Sequence, residues 1–178
     1  PVHVRALGEK PALLDGHQII AFPGGFSYGD DLGSGVVLAH ELVQRLREPL
    51  TRFIERGRLV IGICNGFQVL VKTGLLPGPS YRRGAGSEEW GARNSGQGTR
   101  SGERGAGNEE HGLAATLTHN DSLRFEDRWV TLQVGKTKSP FLEGAEGRLV
   151  EFPVAHGEGK FVTRDARILK RIVAEGQV

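Results

Sequence analysis

The stretch Leu59-Val-Ile-Gly-Ile-Cys-Asn-Gly-Phe-Gln-Val-Leu-Val71 joins two patterns. Leu59 to Ile63 is a short continuous apolar run, the signature of a strand buried on both faces of a parallel sheet. Asn65 to Thr73 then reads as a helix ended by Gly74. Cys64 lies at the junction, with Gly62 and Gly66 two residues to either side. A nucleophile elbow is built this way, because the turn is tight and only small neighbours fit. The helix N-terminus offers backbone N–H groups and the positive end of its dipole to a thiolate. The N–H of Asn65 is placed to stabilise an oxyanion on an attacked carbonyl. The plainer reading is that a lone cysteine is a small buried hydrophobe, and the Gly-x-Cys-x-Gly junction argues against it.

Other segments alternate in the same way. His3 to Ala6 reads as a weak strand and Gln18 to Pro23 as a stronger one. Val36, Val37, Leu42 and Leu46 have helical spacing, and Pro49 is placed to start a second helix ending at Gly57. Trp129 to Val134 and Arg148 to Pro153 read as strands. Asp165 is an N-cap for a helix over Ala166 to Glu175, with Ile168, Leu169, Ile172 and Val173 on one face. Alternating strands and helices predict a three-layer α/β fold with a mostly parallel sheet, in one domain over 1–178.

Two further loops follow predicted strands. Phe22-Pro-Gly-Gly-Phe-Ser-Tyr-Gly-Asp-Asp31 ends on the same sheet edge as Cys64, and its Gly24-Gly25 pair gives a substrate oxygen access to backbone N–H groups. Pro153-Val-Ala-His-Gly-Glu-Gly-Lys160 places His156 two residues from Glu158, like a base and its orienter. Each also reads as an ordinary turn, and closeness in sequence does not set geometry.

Composition narrows the classes. The 178 residues include 27 glycines, about twice the usual share, one cysteine and no methionine. One cysteine excludes an internal disulfide and any multi-cysteine metal centre, and suggests a reducing, cytoplasmic setting. The six histidines show no ligand spacing, so no metal is expected. Lys and Arg total 23 against 21 Asp and Glu, too balanced for nucleic acid or an anionic membrane. No apolar run approaches the roughly 18–20 residues of a membrane span. Residues 79–112 hold nine glycines, five arginines and five glutamates with few apolar residues. They are expected to form a disordered, low-complexity insertion in a surface loop.

The elbow Gly62-Ile-Cys-Asn-Gly-Phe-Gln68 resembles that of triad-type glutamine amidotransferases. With Pro23 to Asp30, Gly74-Leu-Leu-Pro-Gly78 and Pro153 to Gly159, it is similar to the glutaminase subunits of phosphoribosylformylglycinamidine synthases. The resemblance implies a flavodoxin-like α/β/α sandwich, incomplete at both ends. It implies that Cys64 attacks the glutamine amide, with an oxyanion hole matching Gly24, Gly25 and Asn65. Gln68, His156 and Glu158 match positions lining or bordering the glutamine pocket.

The resemblance further implies that ammonia passes to a large synthetase subunit, in a complex that includes a small accessory subunit, in purine biosynthesis. ATP and Mg would be used by that partner, with no cofactor in this chain. The family's base comes from a His-Pro-Glu motif that does not occur in these 178 residues. That motif and an opening strand are expected to lie outside them, and His156–Glu158 is not expected to replace it. Another cysteine hydrolase of the same fold, or a catalytically incomplete partner-binding domain, are the alternative readings.

Overall fold

The computed structural model describes residues 1–30, 32–81 and 112–177. Most of the expected insertion, residues 82–111, lies outside them. Elements run in the order α1 (Val4–Glu9), β1 (Ile19–Phe22), α2 (Val36–Glu55), β2 (Leu59–Gly62), α3 (Asn65–Thr73), β3 (Ala115–Thr118), β4 (Glu126–Gln133), β5 (Leu149–His156), β6 (Lys160–Thr163) and α4 (Ala166–Ala174), with short 3₁₀ turns between some of them.

Among the described residues the fold is a mixture of helices and strands with one parallel pair, β1 with β2. β1 and β2 run side by side in register, Ile19 opposite Leu59 and Phe22 opposite Gly62. Among the described residues the remaining pairs are antiparallel, β3 with β6 and β4 with β5. The expectation of a mostly parallel sheet is therefore met only where strand, helix and strand alternate, from β1 through α2 to β2. The later strands follow one another with little helix between them, and such strands pair antiparallel.

Two expected elements take another form. Residues 3–6 belong to a helix, not a strand: His3 caps α1, its Nδ1 accepting from the Arg5 N–H at 3.2 Å. Val4 and Leu7, three residues apart, then pack against α2, and a strand could not turn both inward. Pro49 does not divide residues 36–55. It sits inside one 20-residue helix, α2. Proline in a helix interior loses a hydrogen bond and costs roughly 3 kcal/mol. Ala39, Leu42, Leu46, Leu50 and Phe53 continue one buried stripe through it. Each buried leucine or phenylalanine contributes about 1.5–3 kcal/mol, so the stripe outweighs the proline.

The main core joins that stripe to Val4, Leu14 and Val69, with Ile20, Phe22 and Val60 partly buried against it. β2, expected to be buried on both faces, is only partly covered along its length. A groove of about 410 Å³ lined by Ile20, Phe22, Leu42 and Leu46 leaves the β1 side of this core open. A second cluster holds Tyr81, Ala114, Ile168 and Ile172, with Phe161 packed against it.

Tyr81 corrects the near edge of the expected insertion. It lies in a 3₁₀ turn over Pro79–Tyr81, is buried, and donates its hydroxyl to Glu175. Arg171 stacks 4.1 Å over its ring and donates to the Ser80 carbonyl at 3.2 Å. Burial, followed by the Glu175 carboxylate, pushes the Tyr81 hydroxyl above its ordinary pKa. Residues 79–81 are thus part of the folded body. On α4, Ile168 and Ile172 are buried as expected, whereas Leu169 and Val173 face outward.

Candidate active site

Cys64 caps α3 with φ 55° and ψ −116°, a region that non-glycine residues rarely occupy. Such backbone costs about 1–3 kcal/mol and persists where its surroundings enforce it. Here the enforcement is visible. The Gly66 N–H donates to the Ile63 carbonyl at 2.9 Å, and those of Phe67 and Gln68 to the Cys64 carbonyl at 3.0 and 3.2 Å. The thiol side chain is exposed at the top of this turn.

The two flanking glycines are required by close approach. A Cβ on Gly62 would lie 2.7 Å from both the Gly66 carbonyl oxygen and Leu70 Cδ1. A Cβ on Gly66 would overlap the Phe22 carbonyl. Strand β2 therefore lies directly under α3, and α3 directly against the end of β1. Since β1 and β2 are parallel, the loop leaving Phe22 starts beside Cys64. A Cβ on Gly24 would sit 3.2 Å from Cys64 Cβ and 3.8 Å from its Sγ, so the Gly24 backbone borders the thiol. Gly25 has φ 122° with open space around it; its glycine serves the backbone turn.

Behind the thiol runs a chain of side-chain hydrogen bonds. Ser27 Oγ donates to Asn65 Oδ1 at 2.6 Å, Asn65 Nδ2 to Gln68 Oε1 at 3.0 Å, and Gln68 Nε2 to the Glu158 carbonyl at 2.7 Å. Asn65 and Gln68 are buried. The Ser34 N–H then donates to Glu158 Oε2 at 3.0 Å. The Gly24 loop, the elbow and the His156–Gly159 loop are tied together by this chain.

His156 and Glu158 do not pair with each other. His156 Nδ1 lies 3.0 Å from Asn120 Oδ1, which also accepts from the Gly159 N–H at 3.2 Å. Asn120 Nδ2 donates to the carbonyls of His156 at 2.7 Å and Arg124 at 2.9 Å. With Oδ1 thus fixed as acceptor, His156 Nδ1 must carry a proton. The arrangement makes His156 part of a scaffold around Asn120, and no geometry here links it to the Cys64 thiol.

Ser27, Ser34, Asn120 and His119 are the residues that sequence reasoning did not single out. Ser27 lies within the quoted Phe22 to Asp31 stretch and Asn120 in none, and a hydrogen bond spanning 38 or 36 residues has no local signature. Among the described residues no three His, Cys, Asp or Glu side chains converge as a metal site. No helix among them is long and apolar enough to cross a membrane.

A strained cysteine between a parallel strand and a helix, bordered by glycine backbone, defines a protein built around a nucleophile elbow. The chain belongs to the CobB/CobQ-like glutamine amidotransferase domain family, whose model matches residues 1–178. It is 45% identical over 161 residues to the phosphoribosylformylglycinamidine synthase subunit PurQ of Dehalococcoides mccartyi, covering 90% of this chain and 51% of that protein. It is 34% identical over 177 residues to the same subunit of Treponema denticola, covering 99% of this chain and 58% of the relative. With that of Salinibacter ruber it shares 35% over 175 residues, 98% of this chain and 57% of the relative. The chain thus spans about half the length of these relatives.

Proposed function

We propose that this chain is the glutaminase part of a phosphoribosylformylglycinamidine synthase. The observation that carries the reading is the positive-φ Cys64 at the strand–helix junction with Gly24 backbone beside its sulfur. The relatives' shared name supports the substrate and pathway.

In this reading the Cys64 thiolate attacks the side-chain amide carbon of glutamine. The carbonyl oxygen takes the negative charge and faces the Gly24–Gly25 backbone and the Asn65 N–H. The C–N bond then breaks, and nitrogen leaves as ammonia after gaining a proton. A γ-glutamyl thioester remains on Cys64, and water cleaves it to glutamate and the free thiol. Gln68 borders the pocket that receives the glutamine side chain.

Ammonia goes to a synthetase large subunit, assisted by a small accessory subunit. There formylglycinamide ribonucleotide becomes its amidine with ATP and Mg²⁺, both held by that partner. The chain itself uses no cofactor and works in the cytoplasm. The parallel β1–β2 unit flanked by α2 and α3 is taken as part of a flavodoxin-like α/β/α sandwich.

The test is mass spectrometry after treatment with a diazoketone analogue of glutamine. Covalent addition at Cys64, prevented by excess glutamine and absent in Cys64→Ala, is the expected result. Labelling elsewhere, or labelling that glutamine does not slow, overturns the reading and leaves another hydrolase of the same elbow or a binding domain.

A further inference from the structure

The oxyanion donors proposed above lie on two separate segments of the chain. The Gly24–Gly25 backbone belongs to the loop leaving β1, and the Asn65 N–H to the first turn of α3. At Gly24 the two segments touch: an added Cβ would lie 3.2 Å from Cys64 Cβ and 3.6 Å from the Ile63 carbonyl oxygen. Just beyond it the packing stops. A Cβ on Gly25 would meet nothing within 4 Å, and Phe26 is 78% exposed. A glycine turn with nothing packed on it does not fix its own position. Ser27 recaptures the loop, its Oγ donating to Asn65 Oδ1 at 2.6 Å.

The direction of that bond is set from the far end of the hydrogen-bond chain. The Glu158 carbonyl can only accept, so Gln68 presents Nε2 to it and keeps Oε1 for Asn65. Asn65 must then offer Nδ2 to Gln68, which turns Oδ1 towards Ser27. Asn65 is 2% exposed, so its acceptor needs a donor from the protein, and the Ser27 hydroxyl supplies one. The far end of the loop is fastened independently. The Ser34 N–H donates to Glu158 Oε2 at 3.0 Å, and a Cβ on Gly35 would lie 2.9 Å from Val69 Cγ2. Loss of the Ser27 hydroxyl therefore loosens the stretch beside the thiol and leaves the rest of the loop in place.

We infer that Ser27 is a positioning residue: its bond to Asn65 holds the Gly24–Gly25 backbone and the Asn65 N–H at the spacing at which both reach one oxyanion. Such donors work only when held within about 0.5 Å of the productive geometry. This rests on the glutaminase reading above, and it concerns the transition state, not the binding of glutamine.

The experiment separates a reaction that forms an oxyanion from one that does not. The γ-(p-nitrophenyl) ester of glutamate acylates the thiol. The thiolate adds to the ester carbon, and the carbonyl oxygen takes the electron pair and returns it. p-Nitrophenolate then leaves without needing a proton, and a γ-glutamyl thioester remains. Iodoacetamide reacts at a saturated carbon and expels iodide, with no oxyanion. Both rates are measured on the purified protein above a Cys64→Ala background. Ser27→Ala should acylate at least about tenfold more slowly, since removing an oxyanion donor outright costs about 10²–10³. Its iodoacetamide rate, and the glutamine concentration that protects the thiol from iodoacetamide, should stay within about twofold. Ser27→Thr and Ser27→Val have the same bulk and differ by the hydroxyl, so Ser27→Thr should acylate at least about tenfold faster than Ser27→Val.

If Ser27→Ala acylates as fast as the unsubstituted protein, the inference is overturned and the glutaminase reading stands. The same follows if Ser27→Thr and Ser27→Val acylate alike, or if acylation and alkylation fall together, as a distorted elbow would make them. If the unsubstituted protein acylates no faster than Cys64→Ala, or glutamine does not protect its thiol, both fall. Should Ser27→Ala lose its cooperative melting, the comparison of Ser27→Thr with Ser27→Val decides the matter.

Discussion

Gly62 and Gly66 bring strand and helix together beneath Cys64 by leaving atoms out, whereas the His156–Gly159 loop reaches the same site by wrapping its polar groups around Asn120. At the elbow the constraint is steric. Any side chain at Gly66 would overlap the Phe22 carbonyl, and the contact is between backbones that cannot move independently. At Asn120 the constraint is polar. One buried amide accepts from His156 and Gly159 and donates to His156 and Arg124, and its own N–H meets the Gly157 carbonyl at 3.0 Å. Packing of the first kind tolerates no addition; a network of the second kind tolerates no removal.

The largest effect should come from adding one methyl group at the elbow. Gly66→Ala is expected to cost about 3 kcal/mol or more, the upper range for overpacking, or to abolish cooperative folding. Gly157→Ala, with nothing within 4 Å of the added atom, should stay within about 0.5 kcal/mol. Denaturant midpoints measure both. Equal shifts for the two glycines would show that the elbow relaxes around a side chain. A smaller loss belongs to Asn120→Ala, which strands the Gly159 N–H and the His156 and Arg124 carbonyls. About 1–3 kcal/mol is expected, with faster amide exchange at Gly159 and unchanged protection at Gly66 to Gln68. Loosening of both sets together would mean that the two constraints act as one.

The same division explains what could be read before the structure was known. The elbow was legible because its requirements are local: apolar run, glycine, cysteine, glycine and helical spacing all fall within thirteen consecutive residues. The Asp165 cap was legible for the same reason. Asn120 was not, because its partners His156 and Gly159 lie 36 and 39 residues away. Tyr81 was assigned to a polar insertion because its neighbours in sequence are polar, yet its neighbours in space are Ala114, Ile168 and Ile172. Pro49 misled in the opposite way. The local rule breaks a helix there, and the buried stripe from Ala39 to Phe53 overrides it. His156 and Glu158 show the limit of spacing as evidence, since side chains two residues apart bind different partners.

Asp165 sharpens the comparison with the smallest expected effect. Like Asn120, it holds backbone N–H groups with a side-chain oxygen: Oδ1 accepts from Arg167 at 2.9 Å and Ile168 at 3.1 Å, starting α4. Unlike Asn120, it ionises. The Ile168 N–H above all holds its pKa below the ordinary aspartate value; desolvation opposes it, and the Arg167 N–H and guanidinium add to the lowering. A carboxyl whose pKa is lower folded than unfolded stabilises the fold above the unfolded value, about 3.9. That contribution disappears as pH falls through the folded value. Asp165→Asn keeps the cap acceptor but cannot titrate. Its stability should therefore match that of the unsubstituted protein most closely at the acid end, with the gap opening as pH rises through about 4 and constant above. Other carboxylates held low, Glu41 by Arg45 and Glu175 by Tyr81, titrate in both proteins and cancel in the difference. Urea midpoints between about pH 2 and 7 measure it, and a gap that does not change with pH would show that the cap acts through geometry alone, as Asn120 does.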